Sequence, residues 1–343
     1  MNFHTNIMKL ELSVWTHHLN QLIYAYFYFC KAEKIKVNIV KNENVGYDGA
    51  ILHLEGKSIF FDYSDGPKFI DSADLYDFYF KRSLRVEHQT KKIYPLNFNI
   101  PMAYKSHVLL LNLKKDILFD KQNRTEVIRA IDRFSLFTNS SHAILDIKRY
   151  PRKVIDFGGN IIFHTRLWNP DNHNDKDEKE RRMSQNEFRI NACRLLKKTY
   201  KNASVGLFTD KLASELAPDL LLDAKHSNKN NYLNTLSKYN ICVADDGLKD
   251  TPGWKIGEYL LFGKAVITTP LNIAVDDFKE HVNYERLNTR SSFLELPEKI
   301  EYLLEGKKYL KMGEDNLNWS KIYLHPKNYL RRILSIVENG INI

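Results

Sequence analysis

At 343 residues, 43% hydrophobic and 27% charged, the chain is too long for one ordinary core and too apolar to stay disordered; roughly 150 residues per domain predicts two units. Fourteen glycines and ten prolines exclude a collagen-like or linker-rich array. Net charge is +9, spread unevenly: residues 1–155 carry 23 Lys and Arg against 16 Asp and Glu, a net +7, and the remainder carries +2. A basic half suits an anionic partner, whether a phosphorylated substrate, an acidic membrane surface or nucleic acid. Three scattered cysteines without a CxxC spacing predict neither structural zinc nor a disulfide framework, and fit a reduced, cytoplasmic compartment. No apolar run reaches the roughly 18 residues of a membrane span, and the first residues lack the order of a signal peptide.

In chain order, the dense apolar run 10–31, free of Gly and Pro, predicts one long helix. Residues 36–40 (KVNIV) predict a short strand. Residues 50–54 and 57–62 predict a hairpin turned by Glu55-Gly56. Residues 108–113 (VLLLNL) are a buried-strand candidate, and 126–137 is helical by period. Tyr150-Pro151-Arg152 marks the boundary between an N-terminal unit, 1–155, and a second unit, 156–325. Beyond it, strand-like runs at 160–164, 204–208, 241–245 and 265–269 alternate with helical runs at 185–200, 231–238 and 254–262. That rhythm predicts parallel strands with crossover helices. The polar run 169–182 reads as a loop, and Gly263 as the terminator of the preceding helix. After 293–304, residues 326–343 predict a final helix packing back on the first unit.

The chemistry concentrates in residues 241–271, ICVADDGLKDTPGWKIGEYLLFGKAVITTPL, which read strand, polar loop, helix, Gly, strand. In a doubly wound sheet, ligands bind beyond the carboxyl ends of the strands, where this loop lies. Asp250 and Glu258 bracket it with seven residues between them, and Pro252-Gly253 precede the helix. A helix N-terminus offers free N–H groups to a phosphate. Lys255 opposes the helix dipole in the first turn, a local conflict that an anion site explains.

This stretch resembles the nucleotide-sugar signature of two-domain GT-B fold bacterial glycosyltransferases of the retaining type, with two carboxylates seven residues apart and an EAxAxGxPVI-like continuation; here that continuation is residues 258–267. The resemblance implies an α/β, GT-B-like fold of two Rossmann-like domains facing across a cleft. It implies Glu258 on the donor ribose, Asp250 at the donor sugar, and Gly253 and Trp254 presenting backbone N–H groups to the diphosphate. Residues 161–168 resemble the first strand and loop of the sugar-nucleotide domain, which places Arg166, with Arg181 or Arg182, near the pyrophosphate. Two departures stand out: Asp replaces the first Glu, and Trp254-Lys255 replaces an apolar-Pro pair.

The implied activity is transfer of a sugar from a nucleotide-sugar to a glycan or lipid-linked acceptor, with no cofactor and no metal, possible contact with an anionic membrane surface, and no nucleic-acid partner. If the reaction inverts, a base from the first unit must take the acceptor proton, and Asp62 or Asp65 is placed for it; the alternative for both is a turn held by Asx-type hydrogen bonds. Lys81 and Arg82 are candidates for an acceptor phosphate, and His18 for the cleft wall. Asp175 and Asp177 formally match an Asp-x-Asp metal motif but sit in a solvated polar run. A nucleic-acid-binding protein would leave the pair 250 and 258 unexplained, and a non-catalytic sugar-nucleotide binder differs only in turnover.

Overall fold

The computed structural model describes residues 8–132, 145–223, 229–247, 249 and 251–341. Two α/β units meet across a cleft, the architecture the resemblance implies. The first unit is built on a six-stranded sheet of β1 (Lys9–Leu12), β2 (Ile39–Lys41), β3 (Gly49–Leu54), β4 (Lys57–Asp62), β5 (Phe78–Lys81) and β6 (Ile93–Pro95), ordered β2-β1-β3-β4-β5-β6. The β3–β4 hairpin turns at Glu55-Gly56, where both residues take positive φ. It makes the sheet mixed: β3 runs antiparallel to β1 and β4, and the remaining pairs are parallel. The carboxyl ends of β1, β4 and β5 and the start of β3 therefore share one edge.

Helix α1 (Asn20–Ala32) is buried nearly all round, which is why its sequence shows no polar stripe. A small pair of strands, β7 (Met102–Ala103) and β8 (Leu145–Asp146), and the helices α2 (Ser106–Asn112), α3 (Lys115–Leu118) and α4 (Arg124–Ile131) complete the unit.

The second unit holds a wholly parallel sheet, β9 (Ile161–Thr165), β10 (Ser204–Leu207), β11 (Ile241–Val243), β12 (Ala265–Thr268) and β13 (Glu285–Arg286), ordered β10-β9-β11-β12-β13. Its helices are α5 (Lys176–Thr199), α6 (Lys211–Leu216), α7 (Lys229–Leu236), α8 (Trp254–Leu261), α9 (Leu296–Leu304) and α10 (Lys308–Tyr323). Side chains alternate across this sheet as the pleat requires. Ile161, Phe163, Ile241, Val243 and Ile267 pack on the α5–α9 side. Ile162, Cys242 and Val266 face the other way and join the core that runs into the first unit. The chain steps from β9 to β10, then crosses back to β11 on the far side of β9, so the order reverses beside β9.

Helix α11 (Pro326–Ile341) lies against α1: Arg331 pairs with Glu33, and Tyr63 Oη sits 2.5 Å from Tyr329 Oη. Helix α8 crosses the segment after β6 so closely that a Cβ at Gly257 would meet Ile100 Cγ2 at 2.5 Å. Gly263, at φ +62, ends α8 and turns the chain into β12.

Four elements differ from expectation. The run 10–31 is split into β1 and α1, because Leu10 and Leu12 alternate into the sheet core before the turn at Thr16. Residues 108–112 lie in α2 rather than a strand, and Leu113 ends it; only Leu109 is buried, and Leu111 faces solvent. Most of the polar run 169–182 is helical. Asp175 caps α5 by accepting from Glu178 N at 2.8 Å, and this Asp-x-x-Glu start carries the helix back to Lys176. That leaves Asp175 a capping residue, with no metal-ligand cluster among the described residues. Helix α10 went unpredicted, since its buried face includes Gly313, Asn316 and Ser320 and so lacks apolar contrast.

Candidate functional site

Beyond the carboxyl ends of β9, β10 and β11 lies a cavity of about 470 Å³. Arg166, Gly253, Trp254, Lys255 and Glu258 all line it, joined by Trp168, Arg189, Phe208, Lys229, Tyr232 and Asp245. The order reversal beside β9 opens this space by sending the connections to opposite faces of the sheet.

At its floor, Lys255 Nζ donates to the His164 carbonyl at the end of β9. Burial lowers its pKa to about 7, and the nearby Arg189, Lys229 and Arg166 push the same way. Arg189 reaches across from α5 and donates to Asp245 Oδ2 at 2.7 Å and to the Arg166 carbonyl at 2.5 Å. The Arg166 guanidinium, exposed above the cavity, lies 5.6 Å from the Trp168 ring centre and 5.9 Å from that of Phe208. Among the described residues no carboxylate pairs with Arg166 or Lys255. Gly253 caps α8 without a side chain, and the first N–H groups of the helix point toward the same end.

One turn along α8 from Lys255, Glu258 is 3% exposed. Its Oε1 accepts from Lys229 Nζ, while Oε2 is buried with no hydrogen-bond partner among the described residues. A buried carboxylate oxygen left so costs roughly 1–3 kcal/mol, which a ligand hydroxyl would recover. Trp168 Nε1 is likewise buried and unpartnered. The cavity thus offers a cationic end, an acceptor oxygen and a wall of aromatic rings.

Asp250 lies outside the described residues. Arg182 does not line the cavity: its guanidinium donates to Glu178 at 3.1 Å and to the Asn169 carbonyl at 2.9 Å, holding the start of α5 to the preceding turn. Arg181 is tied to Glu178 and to the Gly247 carbonyl. Two turns further along α5, Arg189 lines the cavity instead. Sequence reasoning missed Arg189, Lys229 and Asp245; the available signal was the acid ending the apolar strand 241–245, which needs a buried cation as partner.

On the first unit, Asp62 and Lys81 are corrected. Both are fully buried. Asp62 accepts from Lys81 Nζ at 3.0 Å, Tyr79 Oη at 2.8 Å and Ser64 N at 3.0 Å, so its oxygens are occupied and no substrate reaches them. Arg82 is 5% exposed, with Asp65 at 2.7 Å and His18 Nδ1 at 2.8 Å. Its charge is already matched, which removes it as a phosphate ligand. A guanidinium only donates, so His18 Nδ1 accepts and the ring proton sits on Nε2. Burial, then Arg82, pushes the His18 pKa down to about 3, so the ring stays neutral. His17 and His18 meet Trp254 with ring centres 5.2 and 5.6 Å apart. Trp254, which lines the cavity, is thus one contact between the two units.

No protein-family model matches the chain, and no curated protein matches it. Solved structures that are similar include a glycosyltransferase from Rickettsia africae, 11% identical over 95% of this chain and 81% of that one with a TM-score of 0.43. The HepE protein of Anabaena in complex with UDP and glucose is 12% identical over 96% and 98%, with a TM-score of 0.38. S. aureus MnaA with UDP is 10% identical over 97% and 96%, with a TM-score of 0.40. At such identities and TM-scores these likenesses assign neither family nor activity to this chain.

Proposed function

We propose that the chain transfers a sugar from a nucleotide-sugar donor to a hydroxyl of a glycan or lipid-linked glycan. The observation that carries this reading is the meeting of cations and an orphaned acceptor oxygen in the cavity beyond β9, β10 and β11. Among the described residues Arg166 and Lys255 have no carboxylate partner, and the orphaned Glu258 oxygen stands one turn along α8 from Lys255. A diphosphate fits the first and a ribose diol the second, with the nucleobase left to the aromatic wall. In that placement the cations and helix N–H groups stabilise the charge that develops on the leaving diphosphate. The basic first unit suits an acceptor held at an anionic lipid surface; Leu111 and Phe119 project from it, and among the described residues no helix is long and apolar enough to cross a membrane.

A thermal-shift screen against UDP, GDP, ADP and their sugars tests the reading. One nucleotide class is expected to stabilise the fold by about 2.7 kcal/mol at 100 times its Kd. No shift with any of them refutes it.

A further inference from the structure

The edge of the first sheet that faces Trp254 carries a second group of titratable side chains, and one of them is unspent. Asp48 stands immediately before β3, at the same edge as the carboxyl ends of β1, β4 and β5. Thr16, just past β1, donates to its Oδ1 at 2.5 Å. Its Oδ2 takes no hydrogen bond from any described residue, and the side chain is half-buried. The first unit's cations here are matched: Lys81 by Asp62, and Arg82 by Asp65. Asp48 is left as surplus negative charge. The opposite unit closes over this edge: His17 and His18, next to Thr16, meet Trp254, and a Cβ on Gly66 would lie 3.3 Å from the Lys249 side chain.

Resting on the donor reading above, we propose that this edge is the acceptor subsite, and that it receives the acceptor through an uncharged hydroxyl that donates to Asp48, not through a phosphate. A phosphate would meet the Asp48 and Asp65 carboxylates, against which the opposite unit sets one exposed lysine, Lys249, beside Gly66. A hydroxyl needs only an open acceptor oxygen, and Asp48 supplies one beside the residue that walls the donor cavity. Burial and the neighbouring Asp65 raise the Asp48 pKa to about 6, against the pull of Thr16 and Arg82; the carboxylate form is the receiving one above that pH.

The backbone makes the test clean. Asp48 has φ +64, a conformation that Asn tolerates well, so Asp48→Asn keeps the turn and the shape while weakening the acceptor. The donor used is whichever UDP-, GDP- or ADP-sugar stabilises the wild type. Release of nucleoside diphosphate is measured with neutral octyl glycosides and with the same glycosides phosphorylated. Neutral glycosides are expected to accelerate release and phosphorylated ones not. Asp48→Asn is expected to raise the KM for the neutral glycoside at least tenfold, with nucleotide affinity within twofold. Thr16→Val, which frees the Asp48 carboxylate to swing, is expected to raise it about threefold. An unchanged acceptor KM in Asp48→Asn, or equal acceleration by phosphorylated glycosides, overturns the inference and leaves the donor site standing. No nucleotide-sugar binding at all overturns both.

Discussion

Lys255→Met removes one charge from the cavity floor and keeps most of the side-chain volume. In the free protein burial first, then Arg189, Lys229 and Arg166, hold the Lys255 pKa near 7. A bound diphosphate reverses that balance and favours the ammonium. At pH 6 the group is already charged and binding takes up almost no proton. At pH 8 it is about nine-tenths neutral, so binding must recruit a proton, and affinity falls about tenfold between the two. The sign for the free protein is opposite. The unfolded chain binds this proton up to about pH 10.4 and the folded chain only to about 7, so the wild type gains stability over Lys255→Met as pH rises through that window. The ligand's own phosphate titration is common to both proteins and cancels in their comparison. Calorimetry of nucleoside diphosphate binding in two buffers of different ionisation enthalpy reads the proton count. Uptake near one proton at pH 8 in the wild type and near none in Lys255→Met is expected. Equal uptake in both would refute the placement of Lys255 against the diphosphate.

Glu258→Ala should weaken nucleotide binding by roughly 1.5–3 kcal/mol, as for a hydrogen bond to a charged group, and lose the preference for ribo- over 2′-deoxynucleotides; a preserved preference places the ribose elsewhere. Arg166→Ala should weaken binding without lowering the melting temperature, since its side chain holds no other element by a hydrogen bond or ion pair among the described residues. Arg182→Ala should do the reverse, because it releases the start of α5; a differential scanning and titration pair separates them. Vesicle co-sedimentation should show binding to anionic but not neutral lipid at low salt, reduced by Leu111→Ser with Phe119→Ser; equal binding to neutral vesicles would remove the lipid-surface reading.

What the sequence discloses about such a site depends on how local each contact is. Residues 254–271 are readable because helix, Gly terminator and strand follow one another, and Glu258, Lys255 and Gly253 come to the cavity on one short element. Arg166 follows the same logic at the end of β9. Arg189 does not: it meets Asp245 across 56 residues, and no spacing rule joins them. Burial misleads in both directions. Asp62 and Lys81 have functional residue types, yet they neutralise each other inside the first sheet. Asn316 looks like a surface residue, yet it sits in the core, donating to the carbonyls of Lys264 and Asn283 at 2.7 and 2.8 Å, and this conceals α10.

Charge matching connects the two halves of the site. In the donor cavity Asp245 is met by Arg189 and Glu258 by Lys229, and Asp210 caps α6, which leaves Arg166 and Lys255 as the lining cations that no carboxylate pairs among the described residues. Two positive charges beside a helix N-terminus answer the charge of a diphosphate, and they stand within the reach of one small cavity. Among the first unit's own side chains at the facing edge the same subtraction leaves one carboxylate, Asp48. Donor side and acceptor side therefore carry surplus charge of opposite sign, with the His17, His18 and Trp254 rings between them. An anionic donor entering from solvent is drawn to the first and repelled by the second, so electrostatics alone orders the diphosphate away from the acceptor edge. Reversing one of these charges should blur that order: Asp48→Lys is expected to bind a second nucleoside diphosphate, seen as a stoichiometry above one by calorimetry, and a stoichiometry that stays at one would show that shape, not charge, keeps the donor on its own side.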